Sequence, residues 1–233
     1  MVSEMSELWE GFLRAIELIV SLDAEVAEIA WRSLRISASS TLLASLICLP
    51  LGGLIHFHRF RGKRVLVNTI QTFYSLPTVC VGLLVFLLLS RAGPLGGFGI
   101  LFTPTAMVLG QMVLITPILL GLIVTALSGV DRAIKDTALS LGATELQTIW
   151  AIIKEARFAV GAAIVMGFGR AISEVGAAVI VGGNIRGFTR VLTTAIALET
   201  QKGELELALA LGIILVILAL IINGIVNIIQ GSY

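Results

Sequence analysis

The sequence predicts an all-α integral membrane protein, and three observations carry that prediction. Only 13% of the 233 residues are charged, 57% are hydrophobic, and the mean hydropathy is +1.02. Soluble domains carry about a quarter charged residues, so the excess apolar surface must face something other than water. Residues 36–57, 65–90, 92–130 and 207–233 contain no Asp, Glu, Lys or Arg, and a helix needs about 20 mostly apolar residues to cross a bilayer. The polar segments between these runs keep helical periodicity.

Some classes are excluded at once. A net charge of +1 supplies no field for nucleic acid. Cys48 and Cys80 fall inside the charge-free runs and read as small apolar side chains, not a disulfide framework. Glu4, Glu7 and Glu10 stand where a secretory signal would be basic, so no signal peptide is expected, nor is there a lipidation motif.

The elements follow in order. Residues 1–32 form an N-terminal amphipathic region, and residues 33–230 form one transmembrane domain. Leu8, Trp9, Phe12, Leu13, Ile16, Ile19 and Val20 share a helical stripe, with Glu10, Arg14 and Glu17 opposite, which predicts a helix lying in the membrane interface. A second helical pattern starts near Asp23 and leads into a first span at 33–56. Further spans are expected at 67–90, 104–127, 158–181 and 205–229, with a turn-rich connection, RAGPLGGFG, at 91–99. Basic residues set the orientation. The first loop has Arg59, Arg61, Lys63 and Arg64 and the third Arg132, Lys135, Lys154 and Arg157; the second has Arg91 alone, and the fourth Arg186, Arg190 and Lys202. Loops one and three are expected in the cytoplasm, with the N-terminus outside and the C-terminus inside. A sixth span at 8–22 would move only the N-terminus.

The third loop, 128–157, is a polar island containing DTALSLGATELQTIWAIIKEAR. Ser128 to Asp131 fits a capping box, followed by a stripe of Ile134, Ala138 and Leu141. Gly142 stands where a helix C-terminus favours positive φ. Thr144 to Gln147 is a second capping box, and Leu146, Ile149, Trp150 and Ile153 form an apolar face at helical spacing. Two readings stay open: this pair packs on the chain's own spans, or it is a docking element for a soluble partner.

Within that loop, Asp136-Thr137-Ala138, Gly142-Ala143, Ile149-Trp150 and Ile152 resemble the EAA loop of the membrane subunits of ATP-binding-cassette importers. The loop departs from that pattern in having Asp for Glu, Thr for the first Ala, and Lys154-Glu155 where Leu-Pro is usual. The resemblance runs from about residue 31 to 229. YSLPTVCVG (74–82) and FGRAISEVGAAVIVGGNIRGFTRVLTTAI (168–196) are similar to segments of the permeases for tetrahedral oxyanions, tungstate permeases above all. It implies a type I ABC importer-like core of five transmembrane helices in the plasma (inner) membrane. The implied partners are a second copy of the chain, two cytoplasmic ABC ATPases that hold the ATP and Mg²⁺, and an extracytoplasmic substrate-binding protein. Asp136, Ala138, Gly142, Ala143, Leu146, Ile149 and Trp150 would couple to the ATPases, and Pro77, Thr78 and Ser173 would flank the pathway. The implied cargo is tungstate, with molybdate or sulfate as alternatives. The sequence has no GxxxxGK[ST] stretch, so no cofactor is expected in this chain.

Two more groups stand out from the residues themselves. Arg170 and Glu174, at i and i+4, are the only formal charges in 158–185. Either would cost about 3 kcal/mol or more to insert alone, so they are expected to pair, as a structural tie or as part of an anion pathway. The segment GGNIRGFTR (182–190) offers Asn184, Arg186 and Arg190 as a basic outer-face loop for an anion or an acidic partner surface, or simply as a solvated loop. His56 and His58 do not share a helix face, so no metal site is expected. A membrane-embedded enzyme using Glu174 is the alternative from another class. It lacks a nucleophile–base constellation, and a secondary transporter would need two related halves that the sequence does not show. The chain is therefore read as a transport subunit and not an enzyme.

Overall fold

The structure, a computed structural model, describes residues 2–21, 23–58 and 60–230; Arg59 and the side chains of Glu4, Glu7, Leu8 and Glu10, used above, lie outside what it describes. All regular structure among the described residues is helical. The helices are α1 (Val2–Val20), α2 (Ala24–Phe57), α3 (Lys63–Thr72), α4 (Thr78–Leu89), α5 (Pro104–Ser128), α6 (Arg132–Ser140), α7 (Glu145–Ile172), α8 (Gly176–Gly182), α9 (Leu192–Lys202) and α10 (Leu205–Gln230). Among the described residues, only α2, α5 and α10 are single helices long and apolar enough to cross a membrane, and two bent pairs, α3 with α4 and α7 with α8, bring the number to five if each pair is one span.

α2 and α5 form the centre. The α2 face turned inward carries Ser33, Ser37, Ser40, Ala44, Cys48 and Gly52, all buried. Small residues at this spacing let helix backbones approach closely in a membrane, where burial of apolar surface gives no help. At Gly52 a Cβ would fall 2.7 Å from Ile123 Cγ2 of α5. The hydroxyls add no orphaned groups at Ser33, Ser40 and Thr41, which donate to the carbonyls of Ile29, Ile36 and Ser37 four residues back. Ile115, Leu119 and Ile123 of α5 fill the core against Ala156, Ala163 and Ala171 of α7.

The structure differs from the sequence expectations at defined places. The span expected at 67–90 is two helices meeting at 98° across a 3-10 turn, Phe73–Ser75. Pro77 is the cause: it has no N–H to continue a ladder, and it holds Leu76 extended at φ −62°, ψ 130°. The span expected at 158–181 is broken after Ile172 and turns by 61° into α8. Its helix also starts earlier, at Glu145, so the second half of the polar loop is continuous with the span. The box expected at Ser128 does not form. Asp131 caps α6 by accepting from Ala133 N–H at 2.9 Å, while Ser128 ends α5. The box at Thr144 does form, with Thr144 N–H donating to Gln147 Oε1 at 2.8 Å.

α9 was not anticipated. It packs Leu192 and Ala195 with Val26 and Ile29 of α2 and Leu211 of α10. α1 meets α10 through Gly11 and Ala15, both buried, while Trp9, Phe12, Leu13, Ile16 and Val20 of the predicted apolar stripe face outward.

Candidate translocation site

Both breaks come to one place. α4 and α8 pack side by side, and a Cβ on Gly82 would fall 2.7 Å from Ala177 Cα. At the break itself, a Cβ on Gly176 would stand 2.9 Å from Thr78 Oγ1 and 3.0 Å from Val79 Cγ2. Glycine at 82 and 176 is therefore what allows the two bent pairs to touch. Pro77 caps α4 and is exposed, and Thr78, half-buried, meets the break at Gly176, whereas Ser173, exposed, lines a cavity against Leu215, Ile222 and Asn223 of α10.

A break at membrane depth frees backbone carbonyls that lipid cannot satisfy. Here the bundle supplies the partners. Gln111 Nε2 of α5 donates to Ala171 O at 3.2 Å, while its Oε1 lies 2.9 Å from Ser40 Oγ of α2, whose one proton it shares with the Ile36 carbonyl. Thr193 Oγ1 of α9 donates to Glu174 O at 2.7 Å. Gln111 is thus a staple of three helices, and it was not singled out in the sequence. A lone buried amide in an apolar run was the available signal.

Glu174 lies in the break itself. Its side chain is 2% exposed, and Arg170 Nη1 donates to Oε2 at 2.8 Å. Its Oε1 accepts from Ala177 N–H at 3.1 Å, in the first turn of α8. Arg170 is about a third exposed, at 34%. The pair is asymmetric: the carboxylate is locked into the fold, and the guanidinium keeps part of its donor set open. With both oxygens engaged and His56 hydrogen-bonded to Ser128 near the ends of α2 and α5, Glu174 has no geometry for acid–base work.

At the far end of the bundle, α6 and the start of α7 form a hairpin. Gly142, at φ +79°, makes the turn between them. Leu141, Leu146 and Trp150 are exposed at 82%, 79% and 67%. Asp136 is exposed, and Ala138, Ala143 and Ile149 are half-buried. Packing on the chain's own spans therefore does not account for this apolar face.

The 182–190 loop is not a free basic patch. Arg190 is largely buried and pairs with Glu199 of α9 at 3.1 Å, and Glu199 also takes Lys202 at 3.1 Å. Arg186, exposed, donates to Glu25 of α2 at 2.8 Å, and that hydrogen bond and charge hold its guanidinium still further toward the charged form. Asn184, at φ 51°, donates to Thr194 O at 3.2 Å. All three residues hold the loop on α2 and α9. The carboxylates that pair with the two arginines were missed because Glu25 lies 161 residues from Arg186 and Glu199 sits on a helix that was not anticipated.

The family of binding-protein-dependent transport system inner membrane components matches residues 48–232. The chain belongs to that family. Similar to this permease is the tungstate uptake system permease protein of Peptoclostridium acidaminophilum, 41% identical over 97% of this chain and 99% of the relative. A probable anion ABC transporter permease protein of Haloferax volcanii is 42% identical over 82% of this chain and 85% of its own. The fold is shared with a chain of the MetNI methionine ABC transporter in inward-facing conformations, at a TM-score of 0.70 and 16% identity, covering 91% of this permease and 98% of that chain. The permease thus has the type I ABC importer fold.

Proposed function

We propose that the permease is the membrane subunit of an ATP-driven importer for a tetrahedral oxyanion, and that tungstate is its cargo. The observation that carries this reading is the junction of the two breaks beside the Arg170–Glu174 pair. There a partly open guanidinium stands beside a break whose Ala171 and Glu174 carbonyls already have side-chain donors. A dianion passing the junction meets a cation that Glu174 keeps from binding too tightly, which a pathway needs. The 41% identity with a tungstate permease over nearly the whole of both chains supports tungstate as the anion.

Two copies complete the path. Gln71, Thr72 and Ser75, along the α3–α4 bend, are exposed. Facing lipid, such polar groups would be unfavourable. Covered by the same face of a second copy, they line a wet passage. The hairpin end of the bundle is cytoplasmic in this reading, in keeping with the basic residues of loops one and three, which leaves the N-terminus outside and the C-terminus inside. There Asp136, Ala138, Gly142, Ala143, Leu146, Ile149 and Trp150 receive two ATPase subunits, which carry the ATP and Mg²⁺. A binding protein delivers the anion at the opposite end, in the plasma (inner) membrane of the cell.

The test is uptake of labelled tungstate into vesicles holding the permease with its ATPase and binding protein. The reading expects ATP-dependent uptake that unlabelled tungstate suppresses more strongly than molybdate or sulfate. Suppression by sulfate at equal concentration would reassign the cargo, and absence of any ATP-dependent oxyanion uptake would reject the function.

A further inference from the structure

The elbow between α3 and α4 is exposed from Gln71 to Pro77 except at Tyr74, which is half-buried. The Tyr74 ring turns inward and joins Ile55 of α2, Ile70 of α3 and Leu120 and Val124 of α5 in one apolar cluster. Its phenol end rests on Gly121 of α5: a Cβ there would stand 1.5 Å from Tyr74 Oη and 2.6 Å from Cζ. The missing side chain at 121 is the seat for the ring. Tyr74 Oη has no hydrogen-bond partner among the described residues, so the seat holds the ring by shape.

Gly121 stands on a part of α5 that can tilt. Pro117, one turn before it, has no N–H for the carbonyl four residues back, and helices bend at such a proline. About two turns after Gly121, α5 ends at Ser128 and leads through a short turn into α6, the first arm of the exposed hairpin. A tilt of that hairpin turns the end of α5 about Pro117 and carries the seat with it. The start of α3 is tied to the same end of the bundle: Lys63 Nζ donates to the His56 carbonyl at 2.7 Å, and His56 Nδ1 lies 3.1 Å from Ser128 Oγ. Just past the elbow, Thr78 meets the α7–α8 break at Gly176.

The geometry points to Tyr74 as a positioning residue for transport: seated on Gly121, it passes movement of the hairpin and the end of α5 to the elbow that borders the junction. It acts through Pro77 and Thr78, not on the cargo. The proposal deepens the transport reading above and rests on it.

Vesicles holding the permease with its ATPase and binding protein are assayed for labelled tungstate uptake and for phosphate release, per assembled complex. Tyr74→Ala empties the seat, and Gly121→Ala drives the ring out of it. Both variants should keep ATP hydrolysis while the tungstate carried per ATP falls at least about threefold, the scale of a lost coupling between sites. Tyr74→Phe keeps the ring and should retain most of what Tyr74→Ala loses. Adding Tyr74→Leu to Gly121→Ala puts a shorter side chain beside the new methyl and should regain most of the ratio. A ratio unchanged in Tyr74→Ala, whether uptake and hydrolysis both hold or both fall, makes the ring simple packing and overturns the proposal. So do equal losses in Gly121→Ala with and without Tyr74→Leu. If Gly121→Ala does not assemble, Tyr74→Ala against Tyr74→Phe decides. Normal coupling in Tyr74→Ala rejects the seat and leaves the transport reading standing, whereas absence of ATP-driven uptake by the unaltered complex rejects both.

Discussion

Gly82 of α4 and Ala177 of α8 lie so close that any side chain at 82 would fall within 2.7 Å of the Ala177 Cα. The neighbour is backbone and cannot swing aside. Gly82→Val should therefore part the two short helices and lower stability by about 1–3 kcal/mol. Thermal unfolding of the purified permease in detergent checks this. A melting temperature equal to that of the unaltered chain would mean that α4 and α8 are not tightly joined.

Gln111 joins α2, α5 and α7 through Ser40 and the carbonyl of Ala171. Gln111→Leu fills the same space but leaves the Ala171 carbonyl without its side-chain donor at the break. The carbonyl keeps the Glu174 N–H at 3.2 Å, so a loss of about 0.5–1.5 kcal/mol is expected, the net worth of one buried hydrogen bond. Faster amide exchange in the residues around the break should accompany it. Unchanged exchange there would show that the staple is dispensable.

The hairpin predicts the opposite pattern, function lost with the fold kept. Gly142 has φ +79°, which proline cannot adopt, and Trp150 is exposed at 67%. Gly142→Pro and Trp150→Asp should each abolish co-purification with the ATPase. For Trp150→Asp the permease's own melting temperature should move by no more than about 2 °C, since few surface substitutions exceed ~0.5 kcal/mol. Full ATPase recovery with both variants would contradict the docking role.

Arg190 and Glu199 form a pair that is 10% and 5% exposed. Glu199→Gln leaves Arg190 without its nearest counter-ion and should destabilise by about 3 kcal/mol or more. Adding Arg190→Met to it should recover much of that loss. Thermal unfolding of the single and double variants tells whether the loop is tied down by this pair, as opposed to by the Thr189 and Asn184 hydrogen bonds.

Much of this architecture could be read from the sequence, and the reason is local. Charge-free runs mark segments that must reach lipid, and the Thr144 box, the Gly142 turn and the Arg170–Glu174 spacing each depend on residues within a few positions. The 98° and 61° bends were not read, although Pro77 and the Gly176 step were in view, because an apolar run looks the same whether its helix is straight or folded back on neighbours. α9 escaped because Leu192 and Ala195 become a core only against Val26, Ile29 and Leu211. The basic loop was misjudged for the same reason: Glu25 and Glu199 reach Arg186 and Arg190 only once α2 and α9 are packed.

The central claim is that an anion passes the junction of the two breaks beside Arg170. The most direct measurement compares ATP-driven uptake of labelled tungstate by vesicles carrying Arg170→Gln with Glu174→Gln against the unaltered permease, per assembled complex. Removing both charges leaves no unpaired buried ion, so the double variant should fold and hold its ATPase. The account predicts assembly near the unaltered level with uptake reduced at least about tenfold, the loss of one charge-assisted contact to the anion. Uptake equal to that of the unaltered permease would contradict it and leave Arg170 and Glu174 as a structural tie alone.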